Sequence, residues 1–277
     1  FKSFGIKKFI ILNDVNFFMR MKYFLKAYSI IKSCKTMDYF LKFSLDDVKI
    51  GQSVYDHYLR YTGVGTTNHF DHLFYLFLSQ ALSSYYQLKK NYDKFKFIAC
   101  VLTERQFIPG SIISQSSLIN RINVYSRSGL NNTFSVRKYS NTSEMWKTRE
   151  RYSKKLYDQI SSSIKEKAVE IGKNNIEKRF KGIYQYAAGH DYLPERENFR
   201  KIKKNEKNKK KTVTKKELCE KLGWDETKPI VAILSSDLTD GVFDNSWSLF
   251  RDRLTWLRET LHETKNVLNI NWLVKSH

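Results

Sequence analysis

The chain has 277 residues, carries 49 Lys and Arg against 28 Asp and Glu for a formal charge of +21, and is 41% hydrophobic with 15% aromatic residues. That apolar content suits two packed domains and excludes disorder of the whole chain. The most apolar runs, 97–102 and 230–234, are far too short to span a bilayer, and no basic, apolar, small-residue leader opens the sequence. The expectation is a cytoplasmic protein with a negatively charged partner: nucleotide phosphates, the anionic inner face of a membrane on which it sits peripherally, or nucleic acid. Cys34, Cys100 and Cys219 are odd in number and widely spaced, with no CxxC pair, and are expected as buried thiols rather than a disulfide frame or a zinc site. The sequence starts at Phe1 and stops at His277 directly after a strand-like run, so it reads as a fragment.

In chain order, Tyr23-Phe24, Ala27-Tyr28 and Ile30-Ile31 are spaced for a helix and carry no evident chemistry. The segment 48–61 runs from apolar to polar and brings Tyr55, Asp56 and Arg60 together if helical. Phe70, Leu73, Phe74, Phe77, Leu78, Ala81, Leu82 and Tyr85 form a stripe that predicts a long core-facing helix. A strand at 96–102, a helix start near Pro109-Gly110 and a second strand at 122–125 predict β-α-β and a parallel sheet. The charged segment 143–181 is expected to be helical and to end at Gly182, burying a face made by Leu156, Ile160, Ile164, Ala168 and Ile171. An ordered loop at 184–194 follows. Residues 201–216 hold nine lysines and one glutamate, the signature of a solvated linker.

Beyond it, Thr214 and Glu217 make a capping box, Leu218 and Leu222 are expected to face inward, and Gly223 ends the helix. Pro229 leads into Ile230-Val-Ala-Ile-Leu234, an unbroken apolar run suited to a parallel strand covered on both faces. Phe250, Leu254, Leu257 and Leu261 predict a helix, and Asn271-Trp-Leu-Val-Lys275 the next strand. The expected architecture is α/β, with an N-terminal unit at 1–200, a lysine-rich linker at 201–213 and a Rossmann-like unit beginning at 214–277.

In open parallel sheets ligands bind beyond the carboxyl ends of the strands, where loops and helix N-termini converge. Ser235, Ser236, Asp237, Asp240 and Asp244 follow the first strand, and Lys275 and His277 end the second. Hydroxyls, a cation and an imidazole there suit a nucleotide phosphate. The three aspartates fit loop and N-cap duty as well as catalysis, and Gly241 allows a tight turn. Neither GxGxxG nor GxxxxGK[ST] occurs, so dinucleotide and P-loop fingerprints are absent. Asp56 is the N-terminal candidate for a general base, set against a simple ion pair with Arg60 four residues on. His69, Asp71 and His72 are weak metal candidates, and His190-Asp191 is a cleft candidate or an ordinary surface pair.

Lys228-Pro-Ile-Val-Ala-Ile-Leu, the Asp-rich loop, Leu249-Phe-Arg-Asp-Arg-Leu-Thr-Trp-Leu-Arg-Glu-Thr-Leu261 and Asn271-Trp-Leu-Val-Lys-Ser-His277 together resemble the capsule and surface polysaccharide biosynthesis proteins. Ile50-Gly-Gln-Ser-Val-Tyr-Asp-His-Tyr-Leu-Arg60 and Glu177-Lys-Arg-Phe-Lys-Gly182 are similar to the same group. The resemblance implies two Rossmann-like domains of GT-B type, the second incomplete. It also implies a glycosyltransferase that moves a sugar from a nucleotide-sugar donor to a polysaccharide or lipid-linked glycan acceptor, with no cofactor or bound metal. Asp56, Asp237 and Asp240 would then be the catalytic candidates, and Ser235, Ser236, Asp244, Lys275 and His277 would hold the donor, His277 on its phosphate. Two other readings stand beside it. One is transfer of a phospho-alcohol from a CDP-linked donor, as in teichoic-acid synthesis. The other is nucleic-acid binding, against which the lysine run lacks interleaved aromatic or Arg residues.

Overall fold

The computed structural model describes residues 15–128, 135–146, 157–180, 213–235, 237–244 and 249–275. The expected loop at 184–194, His190-Asp191, nearly all of the lysine run, Ser236 and His277 lie outside them.

Helix α1 (Phe17–Ser33) starts at Asn16, whose side chain accepts from the Met19 N–H, and buries Tyr23, Ala27 and Ile31. Short α2 (Met37–Leu41) follows, then α3 (Ile50–Thr62), closed by Gly63 in the left-handed conformation. Helix α4 (His72–Lys94) is the long core helix that the aromatic stripe predicts. Phe74, Phe77, Leu78, Ala81, Leu82 and Tyr85 are buried, and α1, α3 and α5 all pack on α4. Each fully buried side chain of the size of Phe74 or Leu78 contributes roughly 1.5–3 kcal/mol. At one place this packing brings backbone against backbone. A Cβ on Gly51, in the first turn of α3, would run into the carbonyl of Phe40 at the end of α2.

Strand β1 (Cys100–Leu102), helix α5 (Gly110–Ile119) and β2 (Val124–Ser128) form the expected β-α-β, with β1 and β2 parallel. Strand β3 (Ser135–Tyr139) then adds antiparallel to β2, and α6 (Thr142–Trp146) seals a small second core of Leu118, Val124, Tyr139 and Met145. Helix α7 (Ser162–Phe180) bears out the later part of the helical expectation for 143–181 but not its buried face: Ile160, Ile164, Ala168 and Ile171 are exposed among the described residues, and Leu156 and Gly182 lie outside them. Apolar spacing sets which side of a helix is greasy; it does not supply the neighbour that covers it.

The C-terminal elements follow the expected order. Helix α8 (Lys215–Leu222) begins with the full Thr214–Glu217 capping box and ends at Gly223, again left-handed, although its buried residue is Cys219 and Leu222 is exposed. Strands β4 (Ile230–Leu234) and β5 (Asn271–Lys275) pair in parallel, Leu234 opposite Lys275, with α9 (Arg253–Thr264) between them in sequence. Coverage of β4 on both faces is not observed: Ile233 is buried while Val231 and Leu234 are exposed.

The link from β4 to α9 does not stay beside its own sheet. Val242, in a single 3-10 turn (Val242–Asp244), is buried in the same apolar core as α1 to α5.

Candidate functional site

Asp56 lies on the buried side of α3, and its carboxylate meets the 3-10 turn. Oδ1 accepts from the Val242 N–H at 3.0 Å, and Oδ2 accepts from the Phe243 N–H at 3.1 Å. A carboxylate is a strong acceptor for such a pair of free turn amides. Phe243 packs edge-on against Tyr55 at 6.1 Å between ring centroids. Gly241, at φ +52°, makes the turn possible, as expected of that position.

One turn further along α3, Arg60 reaches the same loop rather than Asp56. Its guanidinium lies 3.5 Å from Asp237 and 3.9 Å from Asp240. Asp237 also accepts from the Thr239 N–H and hydroxyl, both at 2.9 Å, which closes a local turn, and its carbonyl accepts from Arg253 at 2.5 Å. Asp237 and Asp240 are therefore brought together on one cation, with Asp240 the more open of the two.

A second cluster lies where α9 begins, and it is the densest polar constellation in the described protein. Asp252 is fully buried and caps α9, accepting from the Thr255 N–H at 2.7 Å. Its Oδ2 accepts from the Tyr55 hydroxyl at 2.7 Å and from the Thr66 hydroxyl at 2.5 Å. Arg251 donates to the same oxygen at 3.3 Å, to Thr66 at 3.0 Å and to Asn68 at 2.6 Å, and pairs with Asp38 at 3.6 Å. Burial pushes the Asp252 carboxyl up, but the hydrogen bonds from Thr66, the Thr255 amide and Tyr55 outweigh it and hold the group below the ordinary aspartate range. The Tyr55 hydroxyl is pushed up to about 12, chiefly by burial, with the facing Asp252 charge adding to it.

At the carboxyl edge of the small parallel sheet, Ser235 and Lys275 are adjacent. The Ser235 N–H donates to the Lys275 carbonyl at 3.0 Å and its hydroxyl donates to the same oxygen at 3.3 Å. The Lys275 side chain is exposed. Asp244 falls in the 3-10 turn, Ser236 and His277 outside the described residues, so Ser235 and Lys275 are the donor-side candidates whose juxtaposition is visible.

Asp71, a weak metal candidate, and the neighbouring His57 have structural occupations. Asp71 caps α4 by accepting from the Phe74 N–H at 3.0 Å and takes the Tyr58 hydroxyl at 2.9 Å, and among the described residues no three His, Cys, Asp or Glu side chains converge as a metal would require. His57 sits edge-on to Phe77 with ring centroids 4.6 Å apart, and burial lowers its pKa and favours the neutral ring. Between α3, α5 and the 3-10 turn lies a polar cavity lined by Gln52, Ser53, Asp56, Arg105, Ser111 and Gln115. Its volume of about 10 Å³ fits a single water and no part of a sugar or nucleotide.

Reasoning from the sequence missed Asp252, Thr66 and Arg251, and set Tyr55 beside Asp56 and Arg60 without its partner Asp252. The available signal was Asp252 directly before the periodic residues Leu254, Leu257 and Leu261, the position of an N-cap. The fold and site define a mixed α/β protein, mainly helical, with two small sheets and a C-terminal loop locked onto α3. No family model, no curated protein and no solved structure matches the chain.

Proposed function

We propose that the chain is a glycosyltransferase that takes a nucleotide-sugar donor and extends a capsular or other surface polysaccharide, or a lipid-linked glycan. The observation that carries this reading is the register of β4 and β5. It sets Ser235 and Lys275 side by side at the carboxyl edge of a parallel β-α-β unit, where a hydroxyl and a cation can hold a phosphate that departs as an anion. Ser236 and His277 follow them in sequence.

In the transfer, a base removes the acceptor hydroxyl proton while the cationic edge stabilises charge on the nucleotide phosphate. We assign the base to Asp240, the carboxylate with the more open side chain beside Arg60, and assign positioning of the loop to Asp56 and Asp237.

A donor screen tests the reading. The full-length protein that contains this chain, with a panel of nucleotide sugars and glycan acceptors, should release nucleotide diphosphate or monophosphate, and Lys275→Ala should raise KM for the donor by about tenfold, the loss of one charge-assisted contact. Turnover of CDP-glycerol with no nucleotide sugar accepted would replace this reading with phospho-alcohol transfer. Failure to bind or turn over either donor class would remove it.

A further inference from the structure

Helix α1 carries a second apolar face, beside the one buried in the core, that is largely open. At about 100° per residue, Tyr23, Ala27 and Ile31 share the side packed on α4. Phe17, Phe18, Met21, Phe24, Leu25 and Tyr28 fall on the adjoining side, within an arc of roughly 120°, with Phe24 and Tyr28 leaning on Tyr75 of α4 at its near edge. These are large side chains left open: Phe18 is 78% exposed, Phe17 67% and Leu25 60%. Leu76 of α4 continues the patch, and between the two helices runs a groove of about 550 Å³, with Phe17, Met21, Phe24 and Leu76 on its walls and Arg20 beside them. An apolar patch of this extent on a protein surface marks an interaction site.

The charge around the patch selects the occupant. From residue 15 to residue 37 the sequence carries Arg20, Lys22, Lys26, Lys32 and Lys35 and no acid at all. Lys22 falls on one flank of the apolar arc and Arg20 on the other, the arrangement in which cations reach outward past a greasy face, while Lys26, on the Lys22 flank, is held by the Tyr86 ring and hydroxyl. A second copy of this chain would bring like charges face to face and is disfavoured. A surface that is apolar below and anionic above satisfies both features at once. We infer that the α1 face, with Leu76 of α4, is a docking surface for an anionic lipid bilayer: the aromatic and aliphatic side chains enter the acyl boundary, and the lysines and Arg20 meet the headgroup phosphates. This surface is independent of the donor edge at Ser235 and Lys275.

Flotation of the full chain with vesicles tests the inference. The protein should bind vesicles of phosphatidylcholine containing phosphatidylglycerol, bind phosphatidylcholine alone at least tenfold more weakly, and lose binding as salt rises. Phe18→Ser with Leu25→Ser changes side chains that are open to solvent, so thermal unfolding should stay the same while vesicle affinity falls by about tenfold or more. Lys22→Glu with Lys32→Glu should remove the preference for phosphatidylglycerol. Leu268→Ser, an exposed apolar side chain on a distant loop, should change nothing. Absence of binding to phosphatidylglycerol vesicles overturns the inference, as does equal binding by the Phe18→Ser, Leu25→Ser protein. A concentration-dependent dimer that those two substitutions abolish, with no vesicle binding, overturns it in favour of a second copy.

Discussion

The Tyr55 hydroxyl and the Asp252 carboxylate meet at 2.7 Å in a fully buried position, 197 residues apart in the sequence. The pair joins the middle of α3 to the cap of α9, and Asp252 accepts three further hydrogen bonds around it. Replacing Asp252 with Ala removes the cap and the acceptor shared by Tyr55, Thr66 and Arg251, leaving Arg251 its bonds to Thr66, Asn68 and Asp38. The expected loss is about 3 kcal/mol, the range for breaking a buried charged network. Tyr55→Phe should cost about 1–1.5 kcal/mol, and the double variant less than the sum, read as midpoints of urea unfolding.

The same pair sets the pH limits of the fold. The Asp252 carboxyl is held below its ordinary value, so its contribution is fully present above about pH 4, the unfolded aspartate range, and is lost as pH falls from there through the lower folded value. The Tyr55 hydroxyl is pushed up to about 12, so its contribution is fully present below about pH 10 and is lost as pH rises from there to about 12. Tyr58 and Tyr85, raised to about 12 by burial and by Asp71 and Asp46, steepen that alkaline limb. Midpoints of urea unfolding across pH 2 to 12, taken as round limits, should fall off on both sides, and Tyr55→Phe should flatten the alkaline one.

Asp56→Ala separates a positioning carboxylate from a catalytic one. It leaves the Val242 and Phe243 amides without an acceptor in a buried place, at a cost of about 1–3 kcal/mol. Limited proteolysis should then cut within 235–245 faster than in the parent protein. An unchanged cleavage rate would show that Asp56 does not hold the loop.

Arg60→Ala, by contrast, should lower stability by less than about 1 kcal/mol, because its guanidinium and both partner carboxylates are roughly half open to solvent. That small effect should vanish in high salt, whereas the Asp252→Ala loss should persist.

Gly51→Ala is expected to be among the most damaging of the small substitutions, costing about 2 kcal/mol or more, since the new methyl meets the Phe40 carbonyl and not a side chain able to rotate away. The same change at Gly172, where a Cβ meets open space, should be neutral or slightly stabilising. Thermal unfolding of the two variants side by side checks the contrast.

Local physics made much of this fold legible in the sequence. The stripe on α4, the capping box at Thr214 and the parallel pairs flanking α5 and α9 each follow from periodicity or turn chemistry within a few residues. What was not legible depended on partners far away in the chain. Nothing local says that Arg60 turns from Asp56 to Asp237, or that Asp56 faces turn amides 186 residues on, because an i, i+4 rule knows only one helix. The bare face of α7 and the uncovered side of β4 fail in the opposite direction: their apolar residues are as spaced, and the cover that the spacing anticipates is not among the described neighbours.

The reach from Asp56 to Val242 also orders the assembly of the molecule in time. Closing a loop of 186 residues carries an entropy cost, which this contact shares with Arg60 to Asp237 and Tyr55 to Asp252 across the same span. On a ribosome, α3 and its carboxylate emerge long before the 3-10 turn exists. The core of α1 to α5 is complete only when that turn arrives, with Val242 entering it and the Val242 and Phe243 amides meeting the Asp56 carboxylate. A substitution in that turn should leave the rate of early collapse alone and show itself in how quickly the finished protein comes open.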